Sequence, residues 1–265
     1  MKEINFISGG KMGDFIHSMY AVKHICEKEN SKANIYITDN GFYGGDKWTF
    51  GAEKAYGDIL STITSQVFVN KFEVLKRPMF EAYTDLNLWR NYVMQDYYSQ
   101  GFFSKTWAEV LSYCYDFKIS KNYKWIDFNK QDNDTKDKIV ITRSLQRHNR
   151  SFDWNKIINN IEEEIIFLTP SYPEWQGFPF KNKKVKLKVV STIDEMVIGI
   201  NSCKYFIGNQ SCGFAIASAL DVNRLVETNK IDAGFYKGES KYSENISWFL
   251  NDNDKYINEN SLIKI

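Results

Sequence analysis

Two short segments combine residue types and spacing suited to binding an anion. The first is Ser8-Gly9-Gly10-Lys11-Met12-Gly13-Asp14, which follows the apolar run Ile4–Ile7 and opens a stretch with helical spacing. A glycine-rich turn at a helix start lets backbone N–H groups meet a phosphate at the positive end of the helix dipole. Lys11 adds a full charge there. Gly10 and Gly13 fit the last two glycines of G-x-G-x-x-G, Ser8 stands where the first would be, and Asp39 sits near that motif's ribose carboxylate. A dinucleotide site and a plain tight turn are both open readings. Asp14 has two as well: an acidic residue complementing the dipole of its own helix, or a general base for an incoming hydroxyl.

The second segment is Gly208-Asn209-Gln210-Ser211-Cys212-Gly213, between the apolar run Tyr205–Ile207 and a helical stretch. Ser211, Cys212 and Gly213 would present free N–H groups to a diphosphate, and the small Ala217, Ser218 and Ala219 let that helix lie close to a sheet. The alternative is an ordinary helix start capped by Asn209 or Ser211. Arg143-Ser144, with Arg147, follows the run Ile139–Thr142 on the edge where open α/β sheets bind ligands, and arginine forks suit phosphate. Glu227 ends a strand and can accept from ribose hydroxyls. For both groups the plain alternative is a solvated surface.

No His/Cys/Asp/Glu set has metal-ligand spacing. His17 and His24 share a helical face, and His148 lies in a basic loop. Asp132-Asn133-Asp134 and Asp252-Asn253-Asp254 have an Asp-x-Asp form that can hold a divalent metal but follow no apolar strand, and we read them as solvated turns. No metal and no other cofactor is expected.

Strands and helices must alternate to hold these segments. Ile4–Ile7, a helix over 14–28 with Phe15, Met19, Val22 and Cys26 at helical spacing, and a strand over 33–38 make one β-α-β unit. A helix over 51–65, a strand over 67–75 and aromatic helices over 85–98 and 104–116 follow. The polar run Asn129–Lys138 has linker composition. Beyond it we expect strands at 139–142, 165–168, 185–190, 205–208 and 224–226, separated by helices at 154–163, 193–202 and 211–220, and a helix near Trp248. Lys184, Lys186 and Lys188 alternate with apolar residues, the pattern of an edge or one-sided strand. The expected organisation is α/β, with Rossmann-like units over 1–130 and 131–265.

Composition agrees with a globular chain of 265 residues, 43% apolar and 25% charged. Charges balance to +1, which gives no strong signal for nucleic acid. No apolar stretch reaches transmembrane length, and the start lacks a signal peptide's apolar region. Cys26, Cys114, Cys203 and Cys212 lack paired spacing, so we expect free thiols and a cytoplasmic protein. The aromatics (19 Phe, 16 Tyr, 7 Trp) reach 16%. Tyr20, Phe42, Tyr43 and Trp48 fall on or near the loops around Asp14, whereas Trp89, Tyr92, Trp107 and Trp248 follow core spacing.

Residues Met12–Ala21 resemble the amino-terminal signature of the lipopolysaccharide heptosyltransferase family: Met-Gly-Asp, two apolar residues, His, two more, Pro, Ala. Met12, Gly13, Asp14, His17 and Ala21 are kept, and Tyr20 replaces the proline. Residues 205–220 are similar to a second segment of that family, in which a strand ends in Asp-Thr-Gly before a helix with a His and a closing Ala-Ala-Leu. Ser211, Ala219 and Leu220 match; Gln210, Cys212 and Ala215 replace the aspartate, glycine and histidine. Residues 40–130 show no match.

The resemblance implies a GT-B glycosyltransferase: two Rossmann-like domains facing a central cleft, a nucleotide-sugar donor held by the second, and no metal. Asp14 would be the catalytic base. Lys11, Gly13, Arg143, Ser144, Arg147, Asn209, Gln210, Ser211, Cys212, Gly213 and Glu227 would form the donor side. His17 and Trp48 would face a glycan or other hydroxyl acceptor. With three changes in the second segment, heptose is not carried over. A nucleotide-sugar-binding protein without chemistry, a nucleotide-sugar epimerase and a Rossmann oxidoreductase are the competing readings.

Overall fold

In a computed structural model of the chain, the described residues are 1–41, 47–77, 81–95, 107–119, 124–145, 154–179, 184–227 and 255–256. Strand β1 (Lys2–Ser8) pairs in parallel with β2 (Ser31–Ile37), with Phe6 opposite Ile35. Helix α1 (Met12–Glu29) crosses between them and buries Phe15, Ile16, Met19, Val22 and Cys26. It ends at Asn30, whose left-handed backbone (φ 47°) turns its N–H onto the carbonyls of Cys26 and Glu27. Helix α2 (Ala52–Thr64) leads to β3 (Val69–Val74), which extends the sheet beyond β2.

The chain then returns to the far side of β1 with the two-residue strand β4 (Thr84–Asp85), giving the order β3-β2-β1-β4. This strand has no sequence pattern of its own and was not anticipated. Helices α3 (Leu88–Gln95) and α4 (Trp107–Tyr115) follow, shorter among the described residues than the expected spans.

The second sheet starts with β5 (Ile139–Thr142), α5 (Trp154–Asn160), β6 (Ile165–Thr169), α6 (Tyr172–Gly177) and β7 (Val185–Val189). It continues with α7 (Ile193–Ser202), β8 (Tyr205–Asn209), α8 (Cys212–Ala219), β9 (Arg224–Glu227) and β10 (Lys255–Tyr256). Its order is β10-β9-β8-β5-β6-β7, and its pairs are parallel. β7 lies at the edge, as its lysine alternation implies, whereas β5, β6, β8 and β9 are buried throughout. The expected helix near Trp248 falls outside the described residues.

In each sheet the chain reverses its direction of growth once, between β1 and β4 and between β5 and β8. Open α/β sheets bind ligands at such points, beyond the carboxyl ends of the strands. Helix α1 starts at the first point and α8 at the second.

The two sheets share a core. One apolar cluster runs from Phe6, Phe15 and Ile16 to Phe206, Phe214 and Ala217, because α1 packs against α8 and α2 against α7. Asp194, in the first turn of α7, accepts from the N–H groups of Ser61 (2.9 Å) and Thr62 (2.8 Å) on α2. Residues 124–128 tie the halves further. The Trp125 indole donates to the Ile16 carbonyl (2.8 Å), and the N–H groups of Trp125 and Ile126 donate to the Ala219 carbonyl at 3.1 Å.

The polar run 129–138 is anchored rather than loose. Lys188 binds Asp132 at 2.6 Å and Asp134 at 2.7 Å, Asp132 N–H donates to the Ser202 hydroxyl, and Thr135 is fully buried. Asp132-Asn133-Asp134 is thus a turn closed by a lysine. Asp252-Asn253-Asp254 lies outside the described residues.

Candidate functional site

The starts of α1 and α8 meet. A Cβ placed on Gly13 would lie 3.4 Å from Cys212 Cα and 3.8 Å from Ala215 Cβ, so a residue much larger than alanine would push the helices apart. Gly10 has a φ of 121°, a backbone that L side chains rarely adopt, so the turn before α1 requires glycine. Neither helix start is capped by a side chain: Lys11 caps α1 and Ser211 caps α8 in extended conformation, without side-chain cap bonds. The Ser211 hydroxyl turns instead to the Asn209 carbonyl (3.3 Å). By contrast Thr192 accepts from Glu195 N–H at α7, and Asp39 accepts from Ala52 N–H (2.6 Å) at α2. Capping α2, and holding Trp48 N–H at 3.1 Å, accounts for Asp39 without a ribose.

Helix α8 reaches this place because Gly213 has no side chain. A Cβ there would lie 2.2 Å from the Thr142 hydroxyl and 2.9 Å from its Cβ, so the helix start rests directly on the end of β5. The Thr142 hydroxyl, 2% exposed, has no hydrogen-bond partner among the described residues. Beside it Asn209 bridges β8 to β5: its amide oxygen accepts from Ser144 N–H (3.1 Å) and its amide nitrogen donates to the Ser144 carbonyl (3.2 Å). Gln210 is buried next to it.

Asp14 lies in the first turn of α1, partly exposed, with its carboxylate on the Arg90 guanidinium. Sequence spacing places Arg90 within an aromatic helix and gives no sign of this pairing. It also missed Glu174 on α6, which accepts from the Thr169 hydroxyl (2.6 Å) and whose carboxyl is pushed up by burial. Both Glu174 and Asp14 act on Cys212, whose thiol is pushed up to about 12, chiefly by burial. That thiol is neutral near pH 7 and is no nucleophile.

Several expected ligands have other work. Arg143 and Glu227 hold each other: Nε meets Oε2 at 2.7 Å and Nη2 meets Oε1 at 2.9 Å, with the Trp154 indole donating to Oε2 (3.3 Å). Glu227 is fully buried and Arg143 nearly so. Reading Arg143 as a phosphate fork and Glu227 as a ribose acceptor is therefore corrected to a buried ion pair under the second reversal point.

The acceptor-side assignments are corrected too. Trp48 is 5% exposed, packs edge-on against Phe15 (5.8 Å) and donates its indole N–H to the Thr38 carbonyl (3.2 Å). His17 is buried in the core, stacked on Trp107 at 4.6 Å. Tyr20 is buried against Trp125. Lys11 is exposed beside Asp14. Arg147, Phe42 and Tyr43 lie outside the described residues. Among the described residues no group of three His, Cys, Asp or Glu side chains can hold a metal ion. None of their helices is long and apolar enough to cross a membrane.

No protein-family model and no curated protein matches the chain by sequence. Solved structures do. The Escherichia coli heptosyltransferase WaaC, with ADP-2-deoxy-2-fluoro heptose, superposes with a TM-score of 0.53 at 8% identity, covering 97% of this chain and 93% of that one. E. coli ADP-heptose lps heptosyltransferase II gives 0.52 at 10% identity, covering 97% and 90%. The iron-containing dodecameric glycosyltransferase TibC from enterotoxigenic E. coli gives 0.55 at 11%, covering 84% of this chain and 57% of that one. At such identities the likeness is one of fold: two parallel α/β sheets arranged as in GT-B glycosyltransferases.

Proposed function

We propose that this protein is a metal-independent, inverting glycosyltransferase that moves a sugar from a nucleotide-sugar donor to a hydroxyl acceptor. One observation carries the reading. The Asp14 carboxylate lies at the start of α1, where that helix meets the start of α8. In this reading a base stands beside an anion-binding helix end, the pairing that a displacement at an anomeric carbon needs.

In this reading the donor's diphosphate rests on the N–H groups of Ser211, Cys212 and Gly213, with the Thr142 hydroxyl beneath them. Asn209 and Gln210 shape the loop. The acceptor hydroxyl enters from the α1 side, and Asp14 takes its proton as oxygen bonds to the anomeric carbon. The bond from that carbon to the diphosphate breaks, and the departing charge is met by the α8 dipole and by Lys11. Arg143 contributes indirectly, by fixing the end of β5 through Glu227. The nucleotide-sugar complexes of WaaC, with ADP-2-deoxy-2-fluoro heptose, and of TibC, with ADP-D-beta-D-heptose, support this class of donor. The described cysteines are free, which suits a reducing compartment such as the cytoplasm.

The test is a panel of nucleotide sugars and acceptors, with binding read by titration calorimetry and products by mass spectrometry. Donor-dependent transfer supports the proposal. Binding without turnover would assign the chain to a nucleotide-sugar-binding role, and donor consumption without acceptor would make it an epimerase.

A further inference from the structure

We propose that Arg90 is the positioning residue of Asp14: its guanidinium, itself braced on aromatic rings, holds the carboxylate in place where α1 meets the start of α8. The inference rests on the reading of Asp14 as the base.

The geometry is specific. Ser18, one turn after Asp14, donates to the Asp14 carbonyl (2.9 Å) and lies 3.3 Å from the Leu86 carbonyl, so it fixes α1 against the chain entering α3. Arg90 stands one turn beyond Leu86 and pairs with the Asp14 carboxylate. Its guanidinium lies 4.6 Å from the centre of the Trp89 ring. Trp89 meets Trp107 edge-on at 4.7 Å, and Trp107 stacks on His17, back on α1. The circuit closes on the helix that carries Asp14. An arginine supported on an aromatic face loses little freedom when it grips a carboxylate, and here its Nη2 holds the Asp14 Oδ2.

Other titratable groups surround the pair. Arg90 on α3 pairs with Asp14; Asp85 at the end of β4 acts on Arg90, and Cys212 on α8 is acted on by both Asp14 and Glu174 of α6; Lys11 and His17 flank Asp14 along the chain. Burial pushes the carboxyls of Asp85 and Glu174 up, toward the neutral form. Asp85 is also within electrostatic reach of Arg90. Removing the Arg90 charge would favour the protonated form of the Asp14 carboxyl, and a protonated carboxyl cannot accept the hydroxyl proton.

The experiment compares wild type with Arg90→Gln, Arg90→Lys and Asp14→Asn. For Arg90→Gln the acid limb of the kcat–pH profile should move up by about one pH unit or more, while donor KM stays within about twofold of wild type. Arg90→Lys, which keeps the charge without the fork, should move it less. A purely packing role would lower kcat at every pH and leave the limb in place. That outcome, with Asp14→Asn inactive, would overturn the assignment of Arg90 while leaving the base intact.

A second readout does not use activity: the Asp14 carboxyl carbon, followed by NMR in a pH titration, should titrate higher in Arg90→Gln than in wild type. An unchanged titration overturns the proposal. Transfer retained by Asp14→Asn would remove the base reading instead. Should Arg90→Gln not fold, Arg90→Lys carries the same two readouts.

Discussion

Arg143, just after β5, and Glu227, at the end of β9, meet across the end of the intervening strand β8, 84 residues apart in sequence, joined by two hydrogen bonds of 2.7 and 2.9 Å in a site closed to solvent. Attraction between buried charges offsets their desolvation only while both are present. Glu227→Ala should therefore cost about 3–5 kcal/mol. The double variant Glu227→Ala/Arg143→Met should cost clearly less than the sum of the single changes. Urea unfolding of the four proteins measures both, and additivity would show that the pair does not act as a unit.

The glycines at the two helix starts should respond oppositely. A Cβ on Gly213 would collide with Thr142, at 2.2 Å from its hydroxyl, whereas one on Gly13 finds ordinary contacts from 3.4 Å outward. Gly213→Ala should lose about 1–3 kcal/mol through overpacking, and Gly13→Ala should keep wild-type stability. Thermal melts decide it. Equal losses would mean that α8 does not rest on β5 as described.

Trp48 belongs to the core of the first sheet's helices rather than to an acceptor surface. Trp48→Ala should cost about 3–5 kcal/mol by leaving a cavity against Phe15. The folded fraction should keep the acceptor KM of wild type. A raised KM with stability unchanged would return Trp48 to the acceptor side.

Glu174 makes stability depend on pH in a definite direction. Its folded carboxyl is pushed up, so the folded state holds the proton more tightly than the unfolded chain does. Stability is then lost as pH rises from the ordinary glutamate value, about 4.3, through the raised one. Glu174→Gln, which keeps an oxygen for the Thr169 hydroxyl, should match wild type at low pH and exceed it increasingly toward neutral pH. Chemical denaturation at several pH values would show this. A constant difference would mean that the carboxyl titrates alike in both states.

Much of the scaffold was legible because strand and helix periods are local. Ile4–Ile7 and the spacing of Phe15, Met19, Val22 and Cys26 define β1 and α1, and the alternation of Lys184, Lys186 and Lys188 marks β7 as an edge. β4 was not legible, since Thr84-Asp85 carries no period and is a strand only by pairing with Phe6 and Ile7. At the site, the helix starts could be read from Gly13 and Ser211–Gly213, but partners could not. Nothing local distinguishes an Arg143 that grips phosphate from one that grips Glu227. Likewise Arg90 has meaning only once Ser18 sets α1 against the start of α3. His17 and Trp48 misled for the same reason, because an aromatic or imidazole beside a motif has the same sequence signature buried or exposed.

The most direct test of the central claim is transfer by Asp14→Asn, measured with the donor and acceptor on which the wild type is active. A folded variant that binds donor normally but transfers about 10²–10⁴-fold more slowly is the predicted result. Wild-type turnover by that variant would contradict it.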